Sequence, residues 1–156
     1  GLAAIAEAAD YQATGYASRD EAMEELRRRA AAGRPAAIVV FSDHDALGYE
    51  EAGREIYNQD DLERPALIML PAVGNPGDAT RLRQAGFRGY LVKPVVPADL
   101  RETLEALRRT PRGAWHALFL TRHSLAEARR GGDAGEKELD ASLESLTAVS
   151  EVSGER

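Results

Sequence analysis

Two short, wholly apolar runs constrain the fold of this chain more than any other feature. Residues 38–41 (IVVF) and 66–70 (ALIML) contain no polar side chain, and each run is followed by apolar residues at helical spacing. Strands that are apolar at every position are typical of parallel sheets with helices on both faces. A sheet with one face in water would instead alternate apolar and polar residues. The runs therefore favour an α/β fold.

The rest of the chain alternates between helix-like and strand-like segments. Regular alternation with short connections implies right-handed crossovers and a parallel sheet. We therefore predict a doubly wound sheet, whose functional groups gather at the carboxyl ends of its strands, near residues 42–45, 71–74 and Lys93. The predicted helices cover residues 2–9, 18–33, 46–57, 75–86 and the segment from Pro97 onward, with a strand between each pair.

Local capping signals mark the starts of two predicted helices. Ser18 and Glu21 have the spacing of a capping box, in which a serine oxygen accepts a hydrogen bond from a backbone N–H of the first turn. Asn75 is predicted to be the N-cap of a later helix, with Pro76 at its first helical position.

Charge is unevenly distributed along the 156 residues. The formal net charge is −6, and residues 131–156 hold seven acidic side chains against two basic ones. Without a basic face, nucleic-acid binding is not expected. Cysteine is absent, which excludes disulfides, and no apolar run reaches the roughly 20 residues of a membrane helix. We expect a cytoplasmic chain without membrane contact, divided into a domain over 1–110, a connector over 111–130 and a flexible acidic tail over 131–156.

Several stretches resemble the receiver domain of bacterial response regulators. The segments at 65–70 (PALIML), 77–94 (GDATRLRQAGFRGYLVKP) and 100–107 (LRETLEAL) are similar to its second half, and 32–43 (AGRPAAIVVFSD) is similar to its third strand. TRHSLAEARR at 121–130 resembles the connector between tandem receivers in hybrid sensor histidine kinases. The resemblance implies a flavodoxin-like fold and a regulatory, non-enzymatic role in a two-component phosphorelay. The family's first strand is expected to be absent, because residue 2 already resembles the first helix.

The resemblance also implies that the phosphorylation site is degenerate. In the family, an acceptor aspartate ends the third strand, a threonine or serine ends the fourth, and a lysine ends the fifth. Lys93 matches that lysine, but Ser42 stands at the acceptor position, and Pro71 and Ala72 stand where the hydroxyl belongs. Asp43 follows one residue later, and successive strand residues point to opposite faces.

We therefore expect a pseudo-receiver without bound Mg²⁺. Lys93 is expected to be a structural remnant that pairs with Asp43 or Asp45 across the strand ends. Phosphorylation of Asp43 remains a minor alternative.

Receivers usually contact their partners through the fourth helix, fifth strand and fifth helix. We expect this face to dock on the kinase core or on a neighbouring receiver of the same hybrid kinase, and to hold the kinase off. The alternative is a second-messenger sensor that binds cyclic di-GMP on the same face, where arginines would contact guanine or phosphate. The residues predicted for this face are Arg81, Arg88, Tyr90, Val92, Pro94 and Val95.

The connector begins with RGAWHALFL at 112–120, which contains the single tryptophan of the chain. We expect this apolar segment to pack on the domain body or to replace an absent element of the sheet.

Overall fold

The computed structural model describes residue 7 and residues 12–16, 18–34, 36–57, 64–131 and 148–153. The predicted helix over 2–9 therefore lies outside the described residues, apart from Glu7. The strands are β1 (Gln12–Tyr16), β2 (Ile38–Asp43), β3 (Ala66–Pro71), β4 (Phe87–Tyr90), β5 (Leu120–Thr121) and β6 (Ala148–Ser153). The helices are α1 (Arg19–Ala31), α2 (Tyr49–Tyr57), α3 (Asp78–Gln84), α4 (Pro97–Arg109) and α5 (Arg122–Gly131), with a 3₁₀ helix at Arg112–Ala117.

The six strands form one parallel sheet in the order β1-β6-β2-β3-β4-β5. The five strands from β1 to β4 in this order match the flavodoxin-like order 2-1-3-4-5, and β6 takes the position of strand 1 in that order. The predicted doubly wound parallel α/β fold is confirmed.

Strand β6 differs from the expectation of a flexible tail over 131–156. It lies between β1 and β2 and is in parallel register with both, so that Val149, for example, pairs with Ala13 and Ile38. A strand in this place forms backbone hydrogen bonds with both neighbouring strands. Charge and composition alone do not reveal that such a strand is needed. Residues 132–147 and 154–156 of the predicted tail lie outside the described part of the chain.

Helices cover both faces of the sheet, as the apolar strands require. Alternate residues of β2 enter different cores, because Val39 and Phe41 pack with α1, α2 and α3, whereas Ile38 and Val40 pack with α4. The core on the α4 side also includes Trp115 of the 3₁₀ helix and Leu125 of α5.

Of the two predicted helix starts, the one at Ser18 is confirmed and the one at Asn75 is not. The Ser18 hydroxyl accepts a hydrogen bond from the N–H of Glu21 at 3.2 Å, which confirms the start of α1. The start at Asn75 and Pro76 was wrong, because Gly77 has a φ of 87° and α3 begins only at Asp78. A left-handed residue interrupts helical geometry, and the carboxylate of Asp78 instead accepts the N–H of Asn75 at 3.0 Å.

The connector packs on the domain body through a buried arginine. Arg88 on β4 is 7% exposed, and its guanidinium donates to the carbonyl oxygens of Gly86 (3.0 Å), His116 (2.5 Å) and Leu118 (3.1 Å). These bonds hold the 3₁₀ helix near the edge of the sheet, where β5 then pairs with β4. The segment 112–120 thus both packs on the body and extends the sheet. Within the described residues, no helix has the length and apolar character needed to cross a bilayer.

Candidate functional site

The carboxyl ends of β2, β3 and β4 meet at one edge of the sheet, as predicted. Backbone hydrogen bonds join the loops there, from the N–H of Ala72 to the carbonyl of Asp43 (3.0 Å) and from the N–H of Lys93 to the carbonyl of Pro71 (2.7 Å). A further bond runs from the N–H of Val73 to the carbonyl of His44 at 2.9 Å. The structure therefore brings to the same edge the residues that were predicted to form a degenerate phosphorylation site.

Asp43 is held by its own surroundings on the α2 side of the sheet. One carboxylate oxygen accepts the hydroxyl of Tyr49 at 2.7 Å, and the other accepts the N–H of His44 at 2.6 Å. Tyr49 is only 1% exposed, and the guanidinium of Arg19 lies 4.4 Å from the centre of its ring. This carboxylate anchors the start of α2 to the end of β2.

Ser42 and Asp43 continue opposite faces of β2. Val40 belongs to the core on the α4 side and Phe41 to the core on the α1–α3 side, and strand residues alternate between faces. Ser42 therefore follows the α4 side and is buried. Asp43, one residue after the predicted acceptor position at Ser42, therefore directs its carboxylate to the other side of the sheet, where Tyr49 lies.

The expected pairing of Lys93 with Asp43 or Asp45 is wrong. In the described part of the chain, no carboxylate forms an ion pair within 4.0 Å of the Lys93 ammonium. The Asp43 carboxylate instead accepts a hydrogen bond from the hydroxyl of Tyr49. The Asp45 carboxylate accepts one from the N–H of Leu47 at 2.9 Å, within its own turn. Lys93 is half-buried, and a cis peptide bond links it to Pro94.

A buried carboxylate organises the neighbouring loop after β3. Asp78 is 1% exposed and accepts hydrogen bonds from the hydroxyl of Tyr90 (3.0 Å), from the N–H of Asn75 and from the guanidinium of Arg81. Arg81 also pairs with Glu50 of α2 at 3.3 Å. Burial, together with the hydrogen bond to Asp78, raises the pKa of Tyr90 to about 12.

Gly74 allows this loop to lie directly over β4. A Cβ atom at this position would lie 3.0 Å from a methyl group of Val92 and 3.3 Å from the hydroxyl oxygen of Tyr90. Contacts this short would push the loop away from the strand. The hydroxyl of Tyr90 is therefore enclosed between the loop and the start of α3.

The residues predicted for the docking face divide into two groups. Arg81, Tyr90, Val92 and Val95 are half-buried, and Pro94 is exposed. We call these five residues, together with the exposed Val96, the α3–β4–α4 face. The prediction that Arg88 belongs to this face was wrong. Its guanidinium is buried against the carbonyl oxygens of the connector.

Helix α5 of the connector contacts this face at its first residue. The guanidinium of Arg122 donates to the carbonyl oxygens of Val92 (3.3 Å) and Pro94 (3.1 Å), which flank Lys93. It also lies 3.8 Å from the carboxylate of Asp99, in the first turn of α4. The connector therefore touches both the loop after β4 and the helix that follows.

A second arginine fixes the other end of α5. Arg129 pairs with the carboxylate of Asp99 and with Glu102, the latter at 2.8 Å. These two carboxylates raise the pKa of Arg129, Glu102 contributing more than Asp99. Leu125, midway along the helix, is 5% exposed and lies in the core on the α4 side. Sequence reasoning missed Asp99, because an acidic residue in the first turn of a helix is common and its partners lie far along the chain.

Metal ligation and similarity to known proteins add no further constraint on this site. Among the described residues, no three histidine or carboxylate side chains converge to hold a metal ion. No protein-family model, no curated protein and no solved structure matches this chain. What the site can do is set by its own geometry, namely an anchored Asp43, a half-buried Lys93 and a connector bound to the α3–β4–α4 face.

Proposed function

We propose that this chain is the regulatory pseudo-receiver domain of a cytoplasmic two-component hybrid histidine kinase, and that it acts by docking. Phosphoryl transfer needs cationic and hydroxyl donors aimed at the transferred group. Pro71 and Ala72 supply no hydroxyl, and Asp43 is engaged by Tyr49 and His44. This arrangement favours a structural role for the carboxyl edge of the sheet over phosphoacceptance at Asp43.

The observation that carries the proposal is the contact between helix α5 and the α3–β4–α4 face. Arg122 binds the carbonyls on either side of Lys93, and Arg129 binds Asp99 at the start of α4. Direct contacts therefore link this face and the start of α4 to helix α5 of the connector. A partner that displaces or tightens this contact changes how the connector is held.

In this proposal the domain has a docked and an undocked state relative to the kinase core. A ligand or partner shifts that equilibrium only by its difference in affinity for the two states. Because α5 and the α3–β4–α4 face are in contact, docking and the position of the connector are coupled.

The test is the autophosphorylation rate of the kinase core of the parent protein, measured with and without the added domain. We expect the wild-type domain to lower that rate. Val96→Asp should abolish the effect, because Val96 is 47% exposed on the face and, as an N-cap of α4, tolerates aspartate. The matched control is Leu47→Asp, a 76% exposed position on another loop, which should inhibit like the wild type. Equal loss in both variants, or no inhibition by the wild type, would contradict the proposal.

The second candidate is a sensor of cyclic di-GMP on the same face. It is favoured by Arg81, whose side chain is 43% exposed beside Tyr90, and by the exposed Pro94. In this candidate the Arg81 guanidinium exchanges its pairs with Asp78 and Glu50 for a phosphate, and Pro94 of the same face offers a stacking surface.

The sensor is tested by calorimetric titration with cyclic di-GMP. Arg81→Gln should remove saturable binding, and Arg101→Gln, an exposed arginine of α4, should not. No heat of binding to the wild-type chain would rule out the sensor.

A further inference from the structure

Strand β6 occupies an internal place in the sheet, with a parallel neighbour on each side. Its register with β1 runs from Gln12↔Ala148 to Tyr16↔Val152, and its register with β2 runs from Ile38↔Val149 to Ser42↔Ser153. The first four residues of β2 are at most 4% exposed. The place beside β2 is therefore internal to the sheet, between two parallel strands.

The sequence of β6 does not suit that place. It reads Ala-Val-Ser-Glu-Val-Ser, and neither set of alternate residues is apolar throughout, since Ser150 interrupts one set and Glu151 and Ser153 the other. The neighbouring strands β2 and β3 are apolar over residues 38–41 and 66–70. Internal strands of doubly wound sheets are near-continuous apolar runs, and the sequence of β6 is not one.

We propose that the place between β1 and β2 is an exchangeable strand site, and that β6 is its weak internal occupant. The preferred occupant is an apolar, β-branched strand of five or six residues from another polypeptide segment, bound parallel to both neighbours. The length follows from the five register pairs on each side of β6. The β6 strand of a second copy would bring the same serines and glutamate, so exchange between copies gains nothing.

The physical basis is recognition by strand addition. Two parallel backbone ladders supply affinity, and the side chains on the two faces supply the preference for apolar residues. Glu151 is in register with Val40 on one side and Gly15 on the other. An apolar residue at that register position would match the apolar residues of β2, and glutamate does not.

The probe is a fluorescent synthetic peptide of sequence KVIVVIK, whose terminal lysines oppose its self-association. We expect saturable binding to the full chain by anisotropy, together with faster hydrogen exchange of the amides of residues 148–153. The control peptide KVIPVIK cannot complete a central ladder and should not bind. Binding that leaves the exchange of residues 148–153 unchanged would overturn the proposal, and so would the absence of binding.

A substitution in β6 itself also tests whether this strand exchanges. Glu151→Val should improve β6 as an occupant, raise the thermal midpoint of unfolding and weaken binding of the apolar peptide by about tenfold or more. A lower thermal midpoint, or unchanged peptide affinity, would show that Glu151 is suited to its place and that β6 does not exchange. The outcome is independent of kinase inhibition, so the strand site and the proposed function can fail separately.

Discussion

The guanidinium of Arg129 pairs with the carboxylate of Asp99, which lies thirty residues earlier and whose side chain is 5% exposed. The arginine belongs to the connector helix α5 and the aspartate to the first turn of α4. Because Arg122 also lies near this carboxylate, one buried acid holds both ends of the connector helix. The connector is therefore part of the domain surface.

Asp99→Asn should loosen the connector helix. The amide keeps the shape of the side chain but loses the charge that binds Arg122 and Arg129, so the free energy of unfolding should fall by about 1–3 kcal/mol. The amide protons of residues 122–131 should exchange faster. Urea denaturation and hydrogen exchange measure the two effects.

The matched control for Asp99 is Glu105→Gln on the same helix. Glu105 pairs with Arg108 at 3.8 Å within one turn, and loss of a pair at i,i+3 spacing should change the free energy of unfolding by less than about 0.5 kcal/mol. An equal effect of both substitutions would show that Asp99 does not fix the connector.

Tyr90→Phe should remove an alkaline transition. The pKa of Tyr90 is raised to about 12 from an ordinary value of 10.0, so the unfolded chain releases this proton first. The stabilisation is complete below pH 10 and is lost as the pH rises towards 12. The wild type should therefore lose stability over that range more steeply than the phenylalanine variant, as measured by denaturation at stepped pH. Parallel pH profiles would contradict the role of the Tyr90–Asp78 bond.

Arg88→Met should destabilise the whole domain. The substitution keeps an apolar side chain of similar length but leaves the carbonyls of Gly86, His116 and Leu118 without their donor. We expect a loss of about 2–4 kcal/mol in the free energy of unfolding. Arg101→Met, at an exposed position on α4, should stay within about 0.5 kcal/mol. Similar stability of the two variants would mean that Arg88 does not hold the connector.

The regular elements were predictable because local signals decide them. The apolar runs at 38–41 and 66–70 have no place except a covered strand, and Ser18 caps α1 through its own first turn. At Asn75 and Pro76 the local signal failed. The left-handed turn at Gly77 and the buried Asp78 set the helix start there, and both depend on the loop packing over β4.

The site was less predictable because long-range contacts decide it. Arg88 was predicted to lie on the docking face and Lys93 to pair with Asp43 or Asp45, yet the first is buried against carbonyls about thirty residues later. The second lacks the expected ion pair because Tyr49 takes the Asp43 carboxylate. Neither partnership follows from spacing in the sequence. The insertion of β6 between β1 and β2 is of the same kind, since it depends on which strands need a neighbour.

Docking in place of phosphorylation is tested by ¹⁵N–¹H NMR of the labelled chain. Mg²⁺ and beryllofluoride, which stands in for a phosphoryl group, are added together in increasing amounts. We expect no saturable shifts for the amides of residues 42–45, 72–74 and Lys93, because Asp43 is held by Tyr49, and Pro71 and Ala72 carry no hydroxyl. Saturable shifts at these amides, absent in an Asp43→Asn variant, would contradict this expectation and restore a phosphorylatable receiver.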